Sequence, residues 1–274
     1  MRSRESAEFS YVVSSTYDKE YYLSECDGYE EFITSHGQIL PKRLELALAR
    51  SGVRPNMWVL DVGCGRGESL IWLARQGAKV WGIDYAKDAL VLSREILKSI
   101  AGPETCCLLI AANACRLPFA AESFDVVLLL DVVEHLYPWE LEQTLAEIWR
   151  VLKCNGRLVI HTAPNLWYYR FGYPVYRLFQ RLRGINLPKD PRDRFRYHKR
   201  VHVNEQSPTS LARALRRSGF QPYVWVTDVQ QRWKHESALM NILGWIATHI
   251  WPIKLIFCGD IFGEAQKRQH KWNS

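Results

Sequence analysis

The chain has 274 residues, of which 47% are hydrophobic and 24% charged. That balance excludes disordered, collagen-like and low-complexity classes and suits one elaborated domain. The net charge of +7 is unevenly spread: residues 1–164 carry 17 basic and 22 acidic side chains, residues 165–274 carry 19 and 7. The C-terminal part is therefore expected to face something anionic: phosphate, an acidic lipid surface or nucleic acid. Seven cysteines, an odd number with no CxxC pair, oppose a disulfide framework or a zinc knuckle. They read as reduced thiols of a cytosolic protein, and no metal ligand set is expected. The N-terminal MRSRESAEFSYVVSS lacks the apolar run of a signal peptide.

From residue 57 short apolar runs alternate with amphipathic segments. Trp58–Val62 reads as a strand ending at a glycine cluster, and 68–76 as a helix with Leu70, Ile71, Leu73 and Ala74 on one face. A strand at 79–83, a helix at 87–99 and strands at 106–111 and 124–130 follow, then a helix at 139–152 and a strand at 157–162. This alternation predicts a parallel sheet covered on both faces.

After Pro164 the character changes. Residues 165–205 hold ten Lys or Arg, three acids and nine aromatics, too many residues for an ordinary loop. They are expected to form an inserted cap, helical near 174–183, where Val175, Leu178, Phe179 and Leu182 recur at helical spacing. Ser207 reads as an N-cap, Pro208 as the first helical residue and Gly219 as the stop. A strand is expected at 221–227, an apolar helical insertion at about 236–250, and a last strand at 255–262. Asn241, His249, Pro252 and Lys254 interrupt the stretch 239–258, so it is not expected to span a membrane. Its neighbours Arg232, Lys234 and Lys254 suit peripheral contact with an anionic surface.

The chemistry gathers at strand ends. Asp61-Val62-Gly63-Cys64-Gly65-Arg66-Gly67 stands where a strand gives way to a helix, and glycines there let a ligand approach the backbone amides. Asp84 closes the next strand, placed to take ribose hydroxyls. A dinucleotide-binding turn would have its third glycine at position 68, which is Glu68. Together with Leu117-Pro118-Phe119, Ser123-Phe124-Asp125 and Glu134-His135-Leu136, these motifs resemble the class I S-adenosylmethionine-dependent methyltransferases. The group most resembled is the small-molecule enzymes of ubiquinone and menaquinone biosynthesis, over residues 38–164.

The resemblance implies a Rossmann-like α/β fold: a seven-stranded sheet with helices on both faces and an inserted basic aromatic cap. With the composition and spacing read above, the chain divides into an N-terminal segment (1–37), a cofactor-binding core (38–164), the cap (165–205) and a C-terminal part (206–274) supplying a helix, the last strands and the apolar insertion. The resemblance implies S-adenosylmethionine as cofactor. Asp61, Gly63, Cys64 and Gly65 would hold its methionine part, Asp84 the ribose, Tyr85, Asn113 and Ala114 the adenine, and Leu130 and Asp131 would border the sulfonium. Asn113 replaces the acid usual at that position, and an Asn oxygen can still accept the hydrogen bond. Tyr17, Tyr21 and Tyr22 stand in the segment that can fold over the cofactor.

His135, His161, His198 and His202 are candidate proton acceptors; of these His135 and His202 are read as catalytic. In the cap, rings alternate with guanidinium groups, so Tyr169, Arg177 and Arg181 are read as substrate-binding. The expected acceptor is an oxygen of a small anionic or lipid-linked molecule, and nothing points to DNA. Two other readings stand beside this one. Stacked rings and arginines also suit single-stranded RNA, although no separate RNA-binding module is visible, and a catalytically silent cofactor-binding module has the same motifs. The expected location is cytoplasmic, with any membrane contact peripheral.

Overall fold

The computed structural model describes residues 12–100, 107–194, 196–233 and 238–267. Its sheet has seven strands: β1 (Trp58–Val62), β2 (Lys79–Asp84), β3 (Cys107–Ala111), β4 (Phe124–Leu130), β5 (Leu152–Thr162), β6 (Gln221–Thr227) and β7 (Asp260–Gln266). They lie in the order β3-β2-β1-β4-β5-β7-β6. The first five run parallel, while β7 is antiparallel to both β5 and β6. The helices are α1 (Tyr29–Ser35), α2 (Lys42–Ala49), α3 (Glu68–Arg75), α4 (Lys87–Ile100), α5 (Pro138–Val151), α6 (Tyr173–Leu182), α7 (His198–Val201), α8 (Pro208–Arg217), α9 (Ala238–His249) and α10 (Lys254–Phe257).

The apolar run of β4 is central, as its composition requires: residues 126–130 are all buried, between β1 and β5. Leu60, Leu129, Leu145 and Ile148 join strands and α5 into one core; truncating such a leucine to alanine costs about 2–5 kcal/mol. The α8 start follows its sequence signals. Ser207 Oγ accepts from Ser210 N at 3.1 Å, Pro208 stands at the first helical position, and Gly219 ends the unit at φ +88°.

Three sequence expectations change. The apolar run near 255 begins as α10, and the last strand is Asp260–Gln266 rather than 255–262; a short apolar run has no period that separates helix from strand. Strand β5 starts at Leu152, five residues early, because Leu152 already pairs with Phe124 before a register shift. The cap helix buries Tyr173 and Gln180, while Val175, Leu178 and Leu182 face solvent. Cys106, Lys234 and residues 236–237 lie outside the described residues.

Candidate functional site

The sheet order reverses between β1 and β4, which opens a crevice at their carboxyl ends. A cavity there is lined by all ten residues read as cofactor-binding: Asp61, Gly63, Cys64, Gly65, Asp84, Tyr85, Asn113, Ala114, Leu130 and Asp131. The turn after β1 is shaped by glycine. Gly63 (φ +75°) and Cys64 both donate to the carbonyl of Ile83, at 2.8 and 2.9 Å. An added Cβ at Gly63 would lie 2.5 Å from Val132 Cγ2, so the turn approaches the end of β4 too closely for a side chain.

Asp84 is buried, and its two oxygens accept from Gly65 N (3.0 Å) and Ala86 N (2.8 Å), locking the glycine turn to the end of β2. Burial holds its carboxyl above the ordinary range. Asp61 is also buried; burial, against the hydrogen bond from Ser69, pushes it up to about 7. Asn113 Oδ1 accepts from Cys115 N at 2.8 Å, so one of its oxygen lone pairs is already used within the loop.

The floor beyond Leu130 is an ion network. Asp131 has left-handed backbone (φ +57°); its Oδ2 accepts from Arg43 Nε at 2.6 Å and its Oδ1 meets His161 Nδ1. His161 is fully enclosed, and its Nε2 lies 3.5 Å from Asp260 Oδ1. Burial alone would lower the imidazole, but the two carboxylates outweigh it and raise it to about 10. Burial likewise opposes the charge on Asp131, yet Arg43 and His161 hold that carboxyl well below the usual range. His161, a candidate proton acceptor from sequence, is thus a bound cation.

The roof comes from two remote segments. Arg66, buried in the glycine turn, donates to the carbonyls of Tyr22 (2.9 Å), Cys26 (3.3 Å) and Asp27 (3.0 Å), fixing the N-terminal segment over the cavity. Tyr17, Tyr21 and Tyr22 line the cavity from that side. The cap meets them: Tyr197 touches Tyr21 at 5.7 Å, and Val201 joins the same apolar cluster. Glu134 anchors the cap, because its carbonyl accepts from Val203 N (2.9 Å) and Asn204 N (3.1 Å). Its buried carboxyl accepts from Thr162 Oγ1 at 2.7 Å; burial, then Asp131, raises it to about 8.

His135 lines the cavity, with Nδ1 3.1 Å from the carbonyl of Val201. A carbonyl only accepts, so Nδ1 carries the hydrogen and Nε2 keeps a lone pair. Burial lowers His135 to about 4, so the ring is neutral at pH 7. His202 does not line the cavity: it stands behind His135, with ring centroids 5.0 Å apart, and stacks on His198 at 4.2 Å. Burial and the two neighbouring histidines lower it to about 2. Glu134, His135 and His202 each offer a ligand atom within 4.8 Å of the others, a spacing that a divalent cation could bridge.

Tyr169, Arg177 and Arg181 are not in the cavity lining. Tyr169 lies under Arg192, 5.7 Å from the guanidinium carbon to the ring centroid. Arg177 donates to the carbonyl of Leu187 at 3.0 Å, and Arg181 is exposed on α6. Arg43, Ser69 and Glu140 do line the cavity and were missed from sequence. Ser69 was findable in the first turn of the helix after the glycines; Arg43 carries no local signal.

Residues 60–160 match the family described as Methyltransferase domain. Demethylmenaquinone methyltransferase of Symbiobacterium thermophilum is 30% identical over 213 residues, covering 74% of this chain and 78% of that protein. Methyltransferase GfsG of Streptomyces halstedii is 38% identical over 103 residues, 37% of this chain; the match spans only 36% of that relative's length. The structure of phosphoethanolamine N-methyltransferase 2 of Haemonchus contortus, solved with S-adenosyl-L-methionine, aligns with a TM-score of 0.61. Its 17% identity, over 92% of this chain and 60% of that one, bears on the fold alone.

Proposed function

The chain belongs to the class I S-adenosylmethionine-dependent methyltransferases, and on that premise we propose that it methylates an oxygen of a small anionic or lipid-linked molecule. One observation carries the reading: a single cavity joins the glycine turn, Asp84 and the Asn113 loop to the neutral imidazole of His135. The residues suit the cofactor. Gly65 of the turn is open to a ligand, with only Tyr22 Cε1 near an added Cβ, at 3.7 Å. Asp84 keeps free lone pairs for hydroxyls. S-adenosylmethionine, when bound, supplies a methyl group already activated by its sulfonium.

The chain's own contribution is alignment and exclusion of water, which in such reactions can supply about 7–11 kcal/mol. Leu130 and Asp131 border the reacting region, and Tyr17 and Tyr21 close it from water together with Tyr197 and Val201 of the cap. His135 Nε2 takes the hydrogen bond of the acceptor hydroxyl and orients its oxygen. His202 positions His135 through ring contact and does not touch the acceptor. The basic cap favours a negatively charged acceptor. The Symbiobacterium relative, by its name, acts on demethylmenaquinone, in keeping with a small-molecule acceptor.

The test is untargeted mass spectrometry of lipid and metabolite extracts incubated with the protein and cofactor, looking for a gain of one methylene. Asp84→Ala serves as the control. Methylation found only on RNA or protein would overturn the acceptor class.

A further inference from the structure

Two amphipathic segments turn their apolar sides outward. Phe171, Val175, Leu178 and Leu182 form a stripe along α6 and the turn before it and are 48%, 49%, 60% and 80% exposed. On α9 and the turn after it, Ile242, Trp245 and Trp251 are 57%, 54% and 73% exposed. Trp233 holds the two segments together. Its ring meets Tyr176 of α6 at 5.1 Å and Phe257 of α10 at 5.3 Å. Gly244 of α9 passes so near that an added Cβ would lie 2.6 Å from the Trp233 carbonyl oxygen. Neither segment contains a carboxylate: residues 165–189 and 238–259 hold no Asp or Glu, but include Arg170, Arg177, Arg181, Arg183 and Lys254.

We infer that this face, formed by α6, α9 and the turn at residues 251–253, docks on an anionic bilayer surface with its helices in the plane of the headgroups. Charge selects the occupant. A second copy of the chain would set these cations against one another with no acid between them, whereas lipid phosphates neutralise them. Aromatic and aliphatic side chains bordered by arginine suit the boundary between headgroups and acyl chains. No helix among the described residues is long and apolar enough to cross a membrane. The docking leans on the proposed function at one point. The cap that carries α6 also reaches the site, through Val201 and Val203, so a lipid-linked acceptor could enter from the docked side.

Co-sedimentation of the full chain with vesicles, in the absence of cofactor and acceptor, tests the docking separately from methyl transfer. The chain should bind vesicles containing phosphatidylglycerol, lose that binding as salt is raised, and bind pure phosphatidylcholine weakly. Leu178→Glu with Trp251→Glu should lower partitioning by about tenfold or more, at an unchanged melting temperature, because both side chains already face water. If the pair melts lower, Leu182→Glu repeats the test at the most exposed position. Arg177→Gln with Arg181→Gln should flatten the salt dependence. Absence of vesicle binding, or parental binding by the Glu variants, would overturn the docking. So would a parent dimer, seen by sedimentation equilibrium, that these variants convert to monomer, since the occupant would then be a second copy. A chain that docks but methylates no lipid keeps this inference and loses only the lipid-linked acceptor.

Discussion

Asp131 and His161 form an ion pair across the ends of β4 and β5, with His161 wholly out of water. Neither charge is stable there alone. Arg43 holds the far oxygen of Asp131, and Asp260 stands behind the ring of His161, so the cavity floor is built from four elements distant in sequence. Removing one partner of such a pair strands the other charges. His161→Phe should therefore cost about 3–5 kcal/mol of stability, read by urea denaturation. A loss below about 1 kcal/mol would place the pair among weak surface-type contacts.

The same group fixes an alkaline dependence. The folded-state value of His161, about 10, lies above the ordinary 6.5, so its stabilisation is complete below about pH 6.5 and is lost as pH rises through 10. Melting temperatures of the parent should fall across that window, and those of His161→Phe should fall less.

On the acid side the sign reverses. Burial lowers His135 and His198 to about 4 and His202 to about 2. Their share of stability is present above about pH 6.5 and is lost as pH falls through those values. The chain should lose stability as pH falls from about 6.5 to 5, above most of the range in which surface carboxylates titrate. Substituting His202 by Gln should shallow that loss in a pH series of thermal melts.

Asp84→Ala should weaken S-adenosylmethionine by about 1.5–3 kcal/mol, the usual worth of hydrogen bonds to a charged group. Asp84→Asn keeps an oxygen for Gly65 N and should lose less. Calorimetry on folded variants decides it, and unchanged affinity in both would remove Asp84 from the ribose site.

His135→Gln should reduce turnover by about 10²-fold or more if Nε2 is the proton acceptor, with little change in cofactor affinity. Equal activity would leave His135 as a packing residue beside Tyr17. Turnover of the parent should be flat from pH 8 down to about 5 and fall nearer 4, where the ring charges.

Gly63→Ala and Gly65→Ala separate strain from crowding. Both positions have positive φ, +75° and +52°, and alanine there costs about 1–2 kcal/mol. Only Gly63 also drives a methyl into Val132. Its melting temperature should fall further, and identical melts would mean that Val132 simply moves aside.

What the sequence reveals about the site is local. Glycines 63, 65 and 67 and the Asp84 strand end declare themselves because a turn's conformational demand and its ligand contacts are met by residues a few positions apart. Arg43 gives no such sign: its partner Asp131 is 88 residues away, and only the folded sheet joins them. Periodicity along α6 correctly groups Val175, Leu178 and Leu182, but it says which face is apolar and not which face is covered. Near residue 255 the run Leu-Ile-Phe suits helix and strand equally, so the start of the last strand slips. His135 and His202 stand out as candidates, yet their neutrality and order of depth depend on burial, which no spacing encodes.

The place of β7 sets the order in which this sheet can be completed. It lies between β5 and β6, so the gap separating those strands stays open until residues 260–266 leave the ribosome. Until then β5 has a bare edge of unpaired backbone, and His161 lacks Asp260. A nascent chain can thus assemble the glycine turn and the parallel strands early, while its finished floor awaits a segment made about a hundred residues after His161. Chaperone demand during synthesis should accordingly peak late, on chains long enough to display β5 and β6 but too short to supply the strand that joins them.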